Sequence, residues 1–330
     1  MGYQERKELY SKIESIRNSK IIVYITGDRR NFETQIHQEV LSFFVKHLDL
    51  ISDTNKIYLY LYTRGGNTLA AWSLINLIRQ FCNQLEVIVP LKAHSAGTLI
   101  CLGANNIVMT KQATLGPIDP NVNTPLNPHI PGAPENVTLP VSVEAIKGYI
   151  EFVKEEFGVK ESKDIASVIN SLTEKVHPLV LGEVYRAKAQ IKMLADKLLS
   201  QQIEDDTKKT KIINFLCSES GSHDYTINRD EAKNNLNLSI EKPTDQLYKL
   251  IKNIFDDIQE ELELTSVFEP GVLLGENNYF QYSCKRALIE SVLGGSHYFV
   301  TEGILKKMNQ GTNILINNQI ISEGWKYDYQ

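Results

Sequence analysis

The chain alternates short apolar runs with longer stretches in which apolar residues recur every three to four positions. The first predicted elements are a strand at 20–26, a helix at 33–48, a strand at 57–62 and a helix at 68–82. Apolar runs of this length are typical of buried strands, and the longer periodic stretches are typical of helices with one buried face. Because strands and helices alternate, the pattern predicts a mostly parallel sheet covered on both faces.

The alternation continues to residue 109 and then gives way to helices. It adds a strand at 86–91, a helix at 96–104 and a short strand at 107–109. Apolar stripes then predict helices at 143–157, 178–200 and 247–262. Residues 121–140 contain five prolines and no periodicity, which indicates an irregular loop.

Two short stretches at the ends of predicted strands carry the candidate chemistry. Tyr62-Thr-Arg-Gly-Gly66 ends one strand, and Ala93-His-Ser-Ala-Gly-Thr98 follows another. A serine between small residues, where a strand leads into a helix, is typical of a nucleophile presented at the edge of a sheet. The alternative interpretation is an ordinary helix N-cap, for which serine is also favoured.

A nucleophilic serine also needs hydrogen-bond donors for the oxyanion, and backbone N–H groups near Ser95 can provide them. The glycine pair leaves such groups accessible at a strand end, and the residue after the serine supplies another. Two donors aimed at one point stabilise the negative charge that develops on a carbonyl oxygen under attack. The predicted oxyanion hole therefore consists of Gly65, Gly66 and Ala96.

The order of these motifs resembles the Clp protease/crotonase superfamily. Within it the chain looks most similar to the serine dehydrogenase proteinase family, which is related to the signal peptide peptidase A proteins. Further matching motifs are Leu115-Gly-Pro-Ile-Asp-Pro120, His177-Pro-Leu-Val-Leu-Gly182 and His223-Asp-Tyr-Thr-Ile227. The resemblance implies a spiral of ββα units, a nucleophilic Ser95, oxyanion donors near Gly66 and Ala96, and oligomers.

We therefore expect an α/β fold with two parts. Residues 1–265 are predicted to form the Clp/crotonase-like domain, a spiral of ββα units with a mostly parallel sheet. Residues 266–330 follow a mixed pattern beyond the resemblance, and they are predicted to be a C-terminal extension of unassigned role.

A serine nucleophile needs a base, and Lys147 is the first candidate. The related signal peptide peptidase A proteins use a lysine on a helix that follows the serine at a comparable distance. Lys147 lies at the edge of the apolar stripe of the predicted helix 143–157, where burial would favour the neutral amine that a general base needs. The alternative is that its stem packs while the ammonium group reaches water.

His177 is the rival base, because it precedes Pro178 at a helix start within one of the matching motifs. Its imidazole would otherwise cap the helix. Asp119 is a possible orienting residue for the base, although in a proline-rich turn an aspartate often bonds its own backbone. The position at which Clp peptidases have their histidine is Pro120 here, which departs from a Clp-like triad.

Composition and charge narrow the functional classes. The formal net charge of -5 gives no reason to expect nucleic acid as a partner. No apolar run reaches the length of a membrane span, and the charged start of the chain does not resemble a signal peptide. The four cysteines are scattered, so neither a metal site nor a disulfide framework is indicated. We expect a cytoplasmic protein without a cofactor.

The favoured function is a serine peptidase that hydrolyses peptide or protein substrates through a Ser95 acyl-enzyme and works as a homo-oligomer. A crotonase-type hydratase or isomerase of coenzyme A thioesters would use the same oxyanion hole, but it usually needs acidic residues that are not evident after the glycine loop. A catalytically inactive peptide-binding or scaffold protein is the third possibility.

Overall fold

A computed structural model describes residues 2–118, 121–132, 134, 137–219, 222, 224–310 and 313–328. The chain forms two compact units. The first combines Met1–Leu115 with Thr226–Gln330, and the second is Gly116–Tyr225, which is therefore inserted in sequence between two segments of the first. This division differs from the predicted boundary at residue 265, because the residues beyond it belong to the first unit.

The first segment of the first unit alternates helices and strands. Its elements are α1 (Tyr3–Arg17), β1 (Lys20–Thr26), α2 (Val40–Ile51), β2 (Thr54–Tyr62), α3 (Thr68–Arg79), β3 (Cys82–Val89), β4 (Lys92–Ala93), α4 (Ala96–Leu102), β5 (Asn106–Met109) and β6 (Thr114–Leu115). The predicted helix 33–48 starts later than expected. Its early residue Ile36 instead forms a parallel bridge with Gly66, which helical backbone does not permit.

The second unit is mainly helical. Its elements are β7 (Asn121–Val122), β8 (Val141–Ser142), α5 (Val143–Glu155), α6 (Ser162–Thr173), α7 (Pro178–Leu199), α8 (Asp206–Asn214) and a π-helical turn (Phe215–Glu219). The two strands pair antiparallel, and a small apolar cluster includes Val143, Val180 and Val184. The predicted helices at 143–157 and 178–200 are present with slightly earlier ends.

The last segment returns to the first unit. Its elements are β9 (Ile227–Asn228), α9 (Arg229–Asn234), β10 (Ile240–Glu241), α10 (Asp245–Glu261), α11 (Pro270–Leu274), β11 (Tyr279–Ser291), β12 (Gly295–Gln310) and β13 (Asn313–Asp328). The amphipathic stripe of α10, which the sequence predicted, packs its buried face into the main core.

The main sheet of the first unit has the strand order β10-β5-β3-β2-β1-β11-β12-β13. Its strands pair in parallel from β10 to β1, whereas β1, β11, β12 and β13 pair antiparallel. The predicted α/β class with a mostly parallel sheet is therefore confirmed. No helix among the described residues is both long enough and apolar enough to cross a membrane.

A buried charge cluster joins α1 to the sheet. Arg6 is fully buried, and its Nε and Nη2 donate to the two carboxylate oxygens of Glu290 at 3.0 and 2.6 Å. Its Nη1 donates to Asp257 of α10 at 2.5 Å. Burying a carboxylate without such a partner costs free energy. The guanidinium of Arg6 therefore stabilises the packing of α1 against α10 and β11.

Two buried histidines meet where α2 packs against the sheet. Nδ1 of His47 lies 2.7 Å from Oγ of Ser291, and its Nε2 lies 3.0 Å from Nδ1 of His297. Burial lowers the pKa of His47 to about 3 and that of His297 to about 4. The ammonium group of Lys46 contributes to both shifts, and His297 adds to the shift of His47.

Candidate active site

Ser95 lies between β4 and α4 in a backbone conformation that side chains rarely adopt. Its φ is 52° and its ψ is -115°. It occupies the N-cap position of α4, yet its side chain makes no capping hydrogen bond. Its role is therefore not that of an ordinary N-cap. Strained backbone of this kind persists where the surrounding structure holds it, and it is concentrated at functional sites.

The glycine loop after β2 packs directly on Ser95. A Cβ atom at Gly65, which has a φ of 115°, would lie 2.8 Å from Cβ of Ser95 and 2.9 Å from the carbonyl oxygen of His94. Only glycine allows this approach. The structure thus brings together the two motifs on which the sequence argument depended.

The N–H groups of the loop differ in their availability. The N–H of Gly65 donates to Oγ1 of Thr63 at 3.0 Å and is therefore occupied. Among the described residues, the N–H groups of Gly66 and Ala96 have no hydrogen-bond acceptor. These two can be offered to an oxyanion, whereas Gly65 contributes by its small size.

A backbone clamp fixes Gly66. The N–H of Ile36 donates to the carbonyl of Gly65, and the N–H of Asn67 donates to the carbonyl of Ile36, both at 2.8 Å. A Cβ atom at Gly66 would lie 2.5 Å from the backbone of Ile36. The peptide groups on both sides of Gly66 are thus held in place before any substrate binds.

Thr63 supports the glycine loop through its side chain, and this role could not be predicted from the sequence. It is fully buried, and its Oγ1 also accepts a hydrogen bond from Thr26 at 2.8 Å. His94, beside the serine, has its Nε2 2.9 Å from Oγ1 of Thr114. Both contacts stabilise the backbone around Ser95, and the only local signal for Thr63 is its place directly before Arg-Gly-Gly.

A charged cluster flanks the same loop. The carboxylate of Asp28 contacts the ammonium group of Lys92, accepts a hydrogen bond from the phenol of Tyr62 at 2.9 Å, and lies 3.4 Å from Arg64. Burial and the neighbouring carboxylate raise the pKa of Tyr62, so its phenol remains a hydrogen-bond donor. Tyr62 and Arg64 belong to the motif Tyr62-Thr-Arg-Gly-Gly66, whereas Asp28 and Lys92 come from other segments and lie outside the motifs.

Lys147 lies in the second unit, on α5. Its Nζ is 3.4 Å from Oε1 of Glu151, one helical turn away, and its side chain is 36% exposed. A desolvated lysine was the expectation for a base, and this environment matches the alternative of an amine that reaches the surface.

His177 also lies in the second unit, as the N-cap residue of α7. Its Nδ1 accepts a hydrogen bond from the N–H of Leu179 at 3.2 Å, and the residue is exposed. This contact matches the capping alternative. Asp119 and His223 lie outside the described residues. In the first unit, no described residue makes a hydrogen bond with Oγ of Ser95.

The described residues contain no group of three or more histidine, cysteine, aspartate or glutamate side chains arranged to hold a metal ion. What the first unit does assemble is a strained serine, two available N–H donors and a rigid glycine loop. Chemically, this arrangement suits attack on a carbonyl carbon and stabilisation of the resulting oxyanion.

Residues 3–135 match the sequence profile of the ClpP-like SDH-type serine proteinases. The matched segment is less than half of the chain, and it includes the glycine loop and Ser95. The resemblance to the serine dehydrogenase proteinase family is therefore confirmed over that segment.

Two uncharacterised proteins of Methanocaldococcus jannaschii are similar to the chain. One is 28% identical over 177 residues, which cover 54% of this chain and 51% of the relative. The other is 31% identical over 148 residues, which cover 39% of this chain and 49% of the relative. The chain thus spans about half the length of the curated relatives that it matches.

Solved structures with some likeness include a variant of the 1510-N membrane-bound stomatin-specific protease. It is 17% identical with a TM-score of 0.38, and the match covers 70% of this chain and 85% of that one. ClpP1 from Listeria monocytogenes is also 17% identical, with a TM-score of 0.37 and coverage of 72% and 99%.

Proposed function

We propose that the protein is a serine peptidase that hydrolyses peptide bonds through an acyl-enzyme at Ser95. The observation that carries the proposal is the contact of Gly65 with Ser95, which is held at a φ of 52°. Such a conformation costs about 1–3 kcal/mol in a residue with a side chain. The family match over residues 3–135 supports the same activity.

In this mechanism Oγ of Ser95 attacks the carbonyl carbon of the peptide bond while a base accepts its proton. The carbonyl oxygen becomes an oxyanion that accepts hydrogen bonds from the N–H groups of Gly66 and Ala96. The intermediate collapses, the C–N bond breaks, and the protonated base gives its proton to the leaving amine. Water then attacks the acyl-enzyme by the same route and releases the acid.

We propose Lys147 as the base and His177 as its alternative. Each would have to give up its present partner, Glu151 or the N–H of Leu179. Lys147→Ala is expected to lose most of the activity and His177→Ala less, with Lys154→Ala on the same helix as the control. Full activity of Lys147→Ala together with an inactive His177→Ala would reverse the ranking.

A fluorophosphonate probe tests the nucleophile directly, because it reacts with activated serines. The wild-type protein should be labelled at Ser95 and should hydrolyse a fluorescent casein, and Ser95→Ala should do neither. Ser52→Ala is a matched control, since Ser52 is an exposed serine that also has a positive φ, of 60°. Labelling that persists in Ser95→Ala would refute the proposal. Absent labelling with tight binding of acyl-coenzyme A would favour the crotonase-type alternative.

We further propose that the active form is a cytoplasmic homo-oligomer that acts on peptides or proteins. A peptidase among other cytoplasmic proteins needs restricted access to its site, and closed symmetry supplies such restriction. The family resemblance supports the same assembly.

A further inference from the structure

A cavity of about 520 Å³ in the first unit opens beside Gly66. Its walls come from the segment before α2, from the glycine loop and from the C-terminal strands β11, β12 and β13. The size lies within the range of small-ligand sites. Gly66 follows the glycine that contacts Ser95, so the cavity begins next to the loop that packs on the candidate nucleophile.

One wall of the cavity is aromatic. Phe299 and Trp325 line it, their ring centroids are 5.7 Å apart, and both side chains are only partly buried. Both residues come from the C-terminal segment for which the sequence predicted no role. Aromatic faces accommodate the methylene stem of a long side chain and attract a cation.

The charged groups of the lining are unbalanced. Among the lining residues that the structure describes, Glu33, Glu39 and Glu323 provide three carboxylates and Arg286 provides the one guanidinium. That guanidinium is already engaged. Its Nη1 lies 2.7 Å from Glu323, and its Nε and Nη2 donate to backbone carbonyls of Phe32 and Glu33.

The ion-pair partners of the two remaining carboxylates, within the part of the chain that the structure describes, are exposed. Glu33 lies 3.6 Å from Arg64, and Glu39 lies 3.8 Å from Nδ1 of His37. Exposed pairs of this kind contribute little and exchange readily for other partners. The cavity therefore presents negative charge next to an aromatic wall.

We propose that this cavity binds a lysine or arginine side chain of the peptide substrate. The inference rests on the proposed peptidase function and adds a substrate class to it. The stem of the basic side chain lies along Phe299 and Trp325, and its cation reaches Glu39 and Glu33. The C-terminal strands thereby become part of the substrate site.

Matched fluorogenic peptides test the preference. Peptides that carry lysine at one position are compared with peptides that carry norleucine, which has a similar length but no charge. At the peptide position whose side chain enters the cavity, kcat/KM is expected to be about tenfold higher for lysine than for norleucine. This ratio corresponds to about 1.4 kcal/mol. Glu39→Gln should bring this ratio close to one by lowering kcat/KM for the lysine peptide, and Glu8→Gln, on the exposed face of α1, should keep the wild-type ratio.

A binding experiment separates this inference from the peptidase proposal. Ser95→Ala combined with Trp72→Phe leaves Trp325 as the fluorescent reporter of the cavity. Lysine peptides should change its emission at lower concentration than norleucine peptides, and the difference should disappear with Glu39→Gln. Equal rates and equal binding for both peptides would overturn the inference while the peptidase proposal stands. Selective binding of lysine peptides by a protein that hydrolyses no peptide would support the proposed site for basic side chains and refute the proposed peptidase function.

Discussion

Acidification is expected to destabilise the first unit through its buried histidines. The unfolded chain takes up a proton on each histidine near pH 6.5, whereas the folded pKa values are about 3 for His47 and about 4 for His297. Because the folded pKa values are depressed, the two neutral histidines make their full contribution to the free energy of unfolding above pH 6.5. This contribution is lost as the pH falls toward 4.

The magnitude follows from proton linkage. Each pH unit within this window costs about 1.4 kcal/mol per histidine. At about pH 5 the loss is about 2 kcal/mol for each residue and about 4 kcal/mol for the pair. No carboxylate of the described residues takes part in the hydrogen-bond chain of the pair, which runs through the hydroxyl of Ser291, and the nearby charge of Lys46 opposes protonation.

Urea unfolding at about pH 8 and about pH 5, followed by tryptophan fluorescence, measures this loss. Both tryptophans, Trp72 and Trp325, belong to the first unit. A double variant with His47→Gln and His297→Leu should be less stable at high pH, yet it should lose about 4 kcal/mol less on acidification. His37→Gln, an exposed histidine, should behave as wild type. The same pH dependence in the double variant and the wild type would refute the reasoning.

Two further substitutions and one mass measurement test the packing, the site and the assembly. Arg6→Met should reduce the free energy of unfolding by about 3–5 kcal/mol because Glu290 and Asp257 lose their buried partner. Lys12→Met, on the exposed part of α1, should change it by less than about 0.5 kcal/mol in the same urea titration. Gly65→Ala should lower kcat/KM about 100-fold by displacing Ser95, whereas Gly148→Ala, which has open space around it, should not; an unaffected Gly65→Ala would contradict the predicted displacement. Light scattering after size exclusion should give a multiple of the chain mass for active protein, and an active monomer would contradict the oligomer proposal.

The central strands could be predicted from the sequence because their residues are buried on both faces. Ile21 and Ile22 of β1, which lie on opposite faces of the sheet, are both fully buried, as are Tyr58 and Leu59 of β2, so each strand appears as a continuous apolar run. The strands β12 and β13 could not be predicted in this way. Exposed apolar residues such as Ile320 and Ile321 alternate irregularly with polar ones, and a bulge shifts the register near Glu302.

The candidate site was predictable only where it is local in sequence. Ser95 and the glycine pair stand in recognisable strand-end motifs, and the contact of Gly65 with Ser95 joins them. The late start of α2 was not predictable, because Ile36 leaves helical geometry to pair with a residue thirty positions away. Asp28 and Lys92 likewise meet only through the sheet, and no spacing rule connects them.

The position of β1 in the sheet has a consequence for how the protein is made. One neighbour of β1 is β2, which follows closely in the chain, but the other is β11, whose pairing residues reach Ser291. During synthesis the whole second unit leaves the ribosome before this partner exists. Until then β1 is an unpaired apolar edge, which is the kind of surface that chaperones cover and that aggregates when left exposed.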